Sequence, residues 1–214
     1  MKAHQFSRGA IHLFMFLLTA LHILKPEMDP LRRFISEYAL GQFGFLMSLA
    51  FACWALAYLG LIIALRSQLT SASGKIGLLF LGVSAIGLSM AGLFTTDPAL
   101  SETHTTHGKL HGVGGTLCMA MPVAALFIGF ALYKNPIYAF AKKRILCITG
   151  LALLGFLVSA IAMGYMFSQN NGNLDASMMV GLPTRLEVLT YCIWMIILTT
   201  LIRKAGVKTA EKIR

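Results

Sequence analysis

The sequence predicts an all-α fold: a polytopic membrane bundle of six transmembrane helices with a short interfacial helix on its outer side. Three observations predict it. Of 214 residues, 57% are hydrophobic and only 12% are charged, about half the charged share of a soluble domain. The apolar residues come in blocks long enough to cross a bilayer, which takes about 20 residues each. The segments between blocks alternate between cationic and acidic along the chain. A soluble enzyme, a disordered chain and a disulfide scaffold are excluded. Residues 1–214 read as one domain without a linker.

Spans are expected over about 9–24, 41–65, 75–95, 110–133, 144–167 and 185–202. The first follows Lys2 and Arg8, as a signal peptide would. His12 and His22 interrupt its apolar run, and no small-x-small cleavage site precedes Lys25 and Pro26, so it reads as a retained span. Before the second span, Asp29 can cap a helix that begins at Pro30. Leu31, Phe34, Ile35 and Tyr38 then share one apolar face, and Arg32, Arg33, Ser36 and Glu37 take the other. Arg33 and Glu37 form an i, i+4 pair, and Gly41 can end the helix. The spacing predicts an interfacial helix over 30–39 that either seals the bundle at headgroup level or rims a site.

Between the third and fourth spans lie Asp97, His104, His107 and His111. Half of the six histidines fall within eight residues here, and His107 and His111 share a helical face. This set can hold a divalent metal such as zinc, act as acid and base without one, or simply dress a capped helix entrance. The His-Glu-x-x-His pattern of zinc proteases is absent. The last span opens with Pro183, Arg185 and Glu187. Two positions apart, Arg185 and Glu187 do not face each other, so each needs a partner from another segment. Asp97 or Glu37 could answer Arg185. Lys109, Arg32 or Arg33 could answer Glu187. His22 lies at the depth of the histidine cluster and could pair with His107 or His111 across haem b, although no second histidine pair supports that. Cys53, Cys118, Cys147 and Cys192 sit inside apolar blocks without metal or redox spacing and read as small packers.

Charge orients the bundle. Thirteen of the 18 cationic residues, with Glu211 as the one acid, lie in the two termini and the second and fourth loops. The other three loops and their flanks hold five cations and seven acids, Glu102 among them. Positive segments stay in the cytoplasm, so both termini are expected there, in the inner membrane of a cell. The net charge of +10 is thus a topology signal and gives no warrant for nucleic-acid binding. Membrane lipids are the expected partners, with a homo-oligomer or another membrane protein left open.

The order of motifs resembles a known family. Ser36-Glu37-Tyr38 precedes the second span, Phe94-x-x-Asp97-Pro98 follows the third, His107-Gly-x-x-His111-Gly opens the fourth, and Gly181-Leu-x-x-Arg185 opens the last, which contains Trp194. This order, over about residues 10 to 203, resembles the six-span prokaryotic family catalogued as domain of unknown function number 998. The resemblance implies the six-span fold and marks Ser36, Glu37, Asp97, His107, His111 and Arg185 as the positions to test.

Three functions compete. One is an outward-facing enzyme on a lipid or lipid-linked substrate, with Ser36, Asp97, His107 and His111 at its centre and Arg32, Arg33 or Arg185 holding an anionic group. Another is a small transporter or channel, which the uncharged midplane of spans two to six disfavours. The third is an accessory or lipid-organising protein. The first reading requires the three outer segments to converge on one pocket.

Overall fold

A computed structural model describes residues 2–101 and 103–213, with side chains through 207. Glu102 and the terminal charges Lys208, Glu211, Lys212 and Arg214 lie outside the described side chains. The helices are α1 (Ala3–Leu24), α2 (Gly44–Leu65), α3 (Ala72–Leu93), α4 (Thr106–Cys118), α5 (Met121–Lys134), α6 (Lys142–Gln169) and α7 (Gly181–Ile213). Short 3-10 helices cover Ile35–Ala39 and Pro136–Ala141. Among the described residues, six stretches are long and apolar enough to cross a membrane, the fourth being α4 and α5 together. The first begins at Ala3, earlier than hydropathy suggests, because Arg8 can extend its head towards an interface.

The spans form a ring in chain order. α1 packs on α2 and α7, α2 on α3, α3 on α4 and α5, α5 on α6, and α6 on α7. Phe14 stacks on Trp54 across α1 and α2 with ring centroids 4.5 Å apart. One end of the ring carries both described chain ends. The other end, the loop end, carries connections 25–43, 94–105 and 170–180.

The fourth span is broken, and the break has a cause. Pro122 has no N–H, so the carbonyl four residues earlier, at Cys118, loses its helical partner. The Ser84 hydroxyl of α3 donates to that carbonyl instead, at 3.4 Å. Met119 and Ala120 tighten into i→i+3 bonds to Thr116 and Leu117. Below the break, α5 bridges α3 and α6. Above it, α4 packs chiefly on α3. Gly87 and Gly114 hold that crossing close: a Cβ on Gly87 would lie 2.5 Å from the Gly114 carbonyl oxygen. The ring is therefore closed towards the chain ends and parted between α4 and α7 at the loop end.

The interfacial segment differs from its sequence expectation. Instead of an α-helix over 30–39 there is one turn at 29–33, then the 3-10 helix Ile35–Ala39. A continuous α-helix would use the carbonyls of Leu31 and Arg33. The Leu31 carbonyl instead accepts from the N–H groups of Gly181 and Leu182, and the Arg33 carbonyl accepts from the Arg185 guanidinium. Tertiary bonds to α7 have replaced the local ones. Glu37 and Tyr38, 2% and 0% exposed, are both buried in protein, so the second half of the segment is covered on both faces, while Leu31 and Arg32 in its first half stay exposed.

Candidate functional site

At the loop end, Arg185 in the first turn of α7 reaches three elements. Its Nε donates to His22 Nε2 at 3.0 Å, and Nη1 donates to the Arg33 carbonyl at 2.6 Å and the Gly181 carbonyl at 3.2 Å. Its guanidinium carbon lies 5.5 Å from the Tyr38 ring centroid. His22 Nδ1 sits 2.7 Å from the Leu18 carbonyl, which can only accept, so Nδ1 carries the proton and Nε2 is free to accept from Arg185. His22 thus has both ring nitrogens directed at protein partners. Gly181 makes the contact feasible: a Cβ there would lie 2.4 Å from the Pro30 carbonyl oxygen.

Glu37 ties the same region together. Its Oε1 accepts from Arg33 Nη1 at 3.2 Å and from the Ala99 N–H at 3.1 Å, and its Oε2 accepts from the Phe34 N–H at 3.0 Å. A carboxylate this buried needs such donors. Lys25, 2% exposed, donates from Nζ to the Tyr38 carbonyl at 3.3 Å and to the Leu40 carbonyl. Arg32 is half-exposed, 3.5 Å from Asp29 and 3.4 Å from the Ala176 carbonyl, a surface arrangement that contributes little.

Asp97 stands apart from Arg185, with Glu37 and Ala99 between them. Its Oδ2 accepts from the Thr105 N–H and its Oδ1 from the Thr105 hydroxyl, both at 2.8 Å. Thr105 in turn caps α4 through Gly108 N–H. These hydrogen bonds hold the Asp97 carboxyl below its ordinary value, although partial desolvation opposes them. His104 is 3.9 Å from Asp97 and largely exposed. His107 is exposed and edge-on to Phe94. The residues expected in one pocket thus have separate partners here: Asp97 and His104 meet at a helix entrance, while Arg185, Glu37 and the partly exposed Arg33 form an interlocked network.

The gap between α4 and α7 holds a cavity of about 310 Å³, inside the common range for small-ligand sites. Phe34, Ile35 and Ser36 line its loop-end side, and α2, α3, α4 and α7 form the walls. The walls are mainly apolar but include His111, Glu187, Tyr191, Tyr58 and Trp54. Tyr191 Oη donates to Glu187 Oε1 at 2.7 Å. His111 Nδ1 donates to the Phe94 carbonyl at 2.8 Å, which leaves Nε2 as its acceptor in the neutral ring. Trp54 Nε1 and Tyr58 Oη are buried without a hydrogen-bond partner; they are close together but not in bonding geometry. Met119, 64% exposed, also lines the cavity, so its wall reaches the side of the bundle that lipid would cover.

Trp54, Tyr58, Tyr191 and Lys25 were missed by sequence reasoning. Aromatic residues four apart inside an apolar span read as core, and the Glu187–Tyr191 spacing was the one usable signal. Among the described residues, no group of three or more His, Cys, Asp or Glu is placed to hold a metal ion. The donors suggested for zinc point to separate tasks: Asp97 to Thr105, His111 to the Phe94 carbonyl, His107 to the surface.

The family described as protein of unknown function (DUF998) matches residues 9–201 of the chain. No curated protein and no solved structure matches it.

Proposed function

The chain belongs to that family, and we propose that it binds a lipid-like amphiphile in the cavity between α2, α3, α4 and α7. In this reading it is a multi-pass protein of the cell inner membrane with both termini cytoplasmic. The cavity then opens in the outer half of the bilayer, consistent with the charge bias of the loops. The observation that carries the proposal is the pair of unsatisfied donors, Trp54 Nε1 and Tyr58 Oη, on a mainly apolar wall. A buried donor without a partner costs about 1–3 kcal/mol, which an acceptor oxygen on a ligand would recover. Glu187 and His111 supply acceptors for a hydroxyl on the same head. The ligand is therefore a molecule with an apolar chain and a small head bearing a carbonyl or ether oxygen and a hydroxyl.

The broken fourth span favours a second reading, movement of that amphiphile between leaflets, because discontinuous helices beside a binding cavity are a recurring transporter feature. An enzymatic reading keeps Ser36 and His111 on the cavity wall but has Asp97 and His107 elsewhere.

The test is mass spectrometry of lipids retained by the purified protein, for wild type, Tyr58→Phe and Glu187→Gln, with thermal unfolding alongside. Wild type should retain an amphiphile that the variants lose by about tenfold, without loss of fold. Equal retention by all three sinks the binding proposal. Lipid scrambling in proteoliposomes that Pro122→Ala abolishes would favour the second reading.

A further inference from the structure

The end of the ring opposite the loops holds a second polar groove, between α1 and α7, with a volume of about 330 Å³. His4, Arg8, His12, Thr199 and Arg203 line it. Two arginines from the first and last spans converge here. Among the described residues neither is in an ion pair, and no Asp or Glu lines the groove. Arg8 has a long 3.5 Å contact to the Thr200 hydroxyl, too weak to settle a guanidinium. His12 Nδ1 donates to the Arg8 carbonyl at 2.6 Å. His4 Nε2 is buried with no partner. Cations that serve only to anchor a membrane protein gain by spreading apart and extending into water. Here they share a concave wall with an unsatisfied imidazole nitrogen.

We propose that this groove binds the phosphate of an anionic phospholipid headgroup. Arg8 and Arg203 would hold phosphate oxygens through paired N–H donors, and His4 would donate to a third. The bundle surface also suits the rest of a lipid. Phe16, 67% exposed, lies one turn deeper than His12 on the same face of α1 and offers an acyl chain an apolar track. Arg203 borders a larger groove as well, lined by Arg144, Lys204 and Phe140, so a second headgroup position adjoins the first. The proposal is independent of the cavity reading, since no residue is shared.

The experiment uses the full chain in phosphatidylcholine nanodiscs, with and without a minor fraction of phosphatidylglycerol, and separately with inorganic phosphate. Thermal unfolding and lipid retention by native mass spectrometry are read together. Phosphatidylglycerol should raise the melting temperature of wild type and be retained preferentially. Arg203→Gln and Arg8→Gln should each weaken retention about fivefold, the scale of one interfacial cation. Lys75→Gln, an exposed cation at the same end, should leave it unchanged. If Arg203→Gln fails to fold, Arg8→Gln carries the test alone. An equal loss in Lys75→Gln overturns the proposal, as does a full stabilising effect from inorganic phosphate, or equal retention of the two lipids.

Discussion

The loop end contains two buried polar neighbourhoods, side by side, and they differ in how their hydrogen bonds are met. In the Glu37–Arg185 network, Glu37 accepts from three donors, Arg185 donates to three acceptors with only its Nη2 buried and unpaired, and His22 uses both ring nitrogens. In the neighbouring cavity, Trp54 and Tyr58 present donors that nothing in the protein accepts. Buried polar groups are normally paired, so a network that is almost complete is a structural device. A wall with unpaired donors and open volume is suited to something that is not part of the chain. Charge alone would have ranked these regions the other way, because the network holds the more conspicuous residues.

The largest effect should come from Glu37→Ala. It removes acceptors from the Phe34 and Ala99 N–H groups as well as from Arg33, and loosens the 94–105 connection from the 35–39 turn. A loss of about 2–4 kcal/mol is expected, with the half-exposed Arg33 pair contributing the least of it. Thermal unfolding in detergent measures it, and a shift no larger than that of a surface substitution would erase the contrast between the two neighbourhoods. Arg185→Lys comes next, at about 1–2 kcal/mol. A lysine cannot bond His22 and the Arg33 carbonyl while stacking on Tyr38, so it should behave as a partial deletion. A neutral result would mean that charge, and not the planar fork, holds α7 to the loops.

Tyr58→Phe sharpens the comparison because its two readouts should move in opposite directions. Removing an unpaired hydroxyl should leave the ligand-free protein equally or more stable, by about 1 kcal/mol, and should lower amphiphile retention. If stability falls instead, Tyr58 has a partner within the chain and the cavity loses its main support.

What the sequence disclosed follows the range of the forces involved. Span number and order are properties of 20-residue averages, so hydropathy alone recovers them. The break at Pro122 was also written locally, though inside an apolar block where only the span was read. The 30–39 segment was misjudged in kind because its carbonyls bond to Gly181, Leu182 and Arg185, about 150 positions away. Depth correctly suggested that Arg185 needs partners from other segments, but it could not distinguish a carboxylate from His22 and two carbonyls. Trp54 and Tyr58 were invisible as polar residues, since an indole or phenol in a core looks the same from sequence whether its N–H or O–H is satisfied or not.

The smallest effect concerns Asp97, whose role at the α4 entrance separates it from both neighbourhoods. Its carboxyl is held below the ordinary Asp value of 3.8, first by the Thr105 hydroxyl and then by the Thr105 N–H, with His104 adding a little. A carboxyl depressed in the folded state stabilises the fold at pH values above its unfolded pKa, and that contribution disappears as pH falls through the folded value. Asp97→Asn keeps a carbonyl oxygen for the Thr105 hydroxyl but has no charge to titrate. Melting curves of wild type and Asp97→Asn should therefore be separated by a small, constant interval above about pH 5 and should converge as the pH drops below 3.8. Amphiphile retention should not change in either protein over the neutral range, because Asp97 lines no part of the cavity. A loss of retention in Asp97→Asn at neutral pH would reconnect Asp97 with the cavity and restore the single-pocket arrangement that the histidine spacing first suggested.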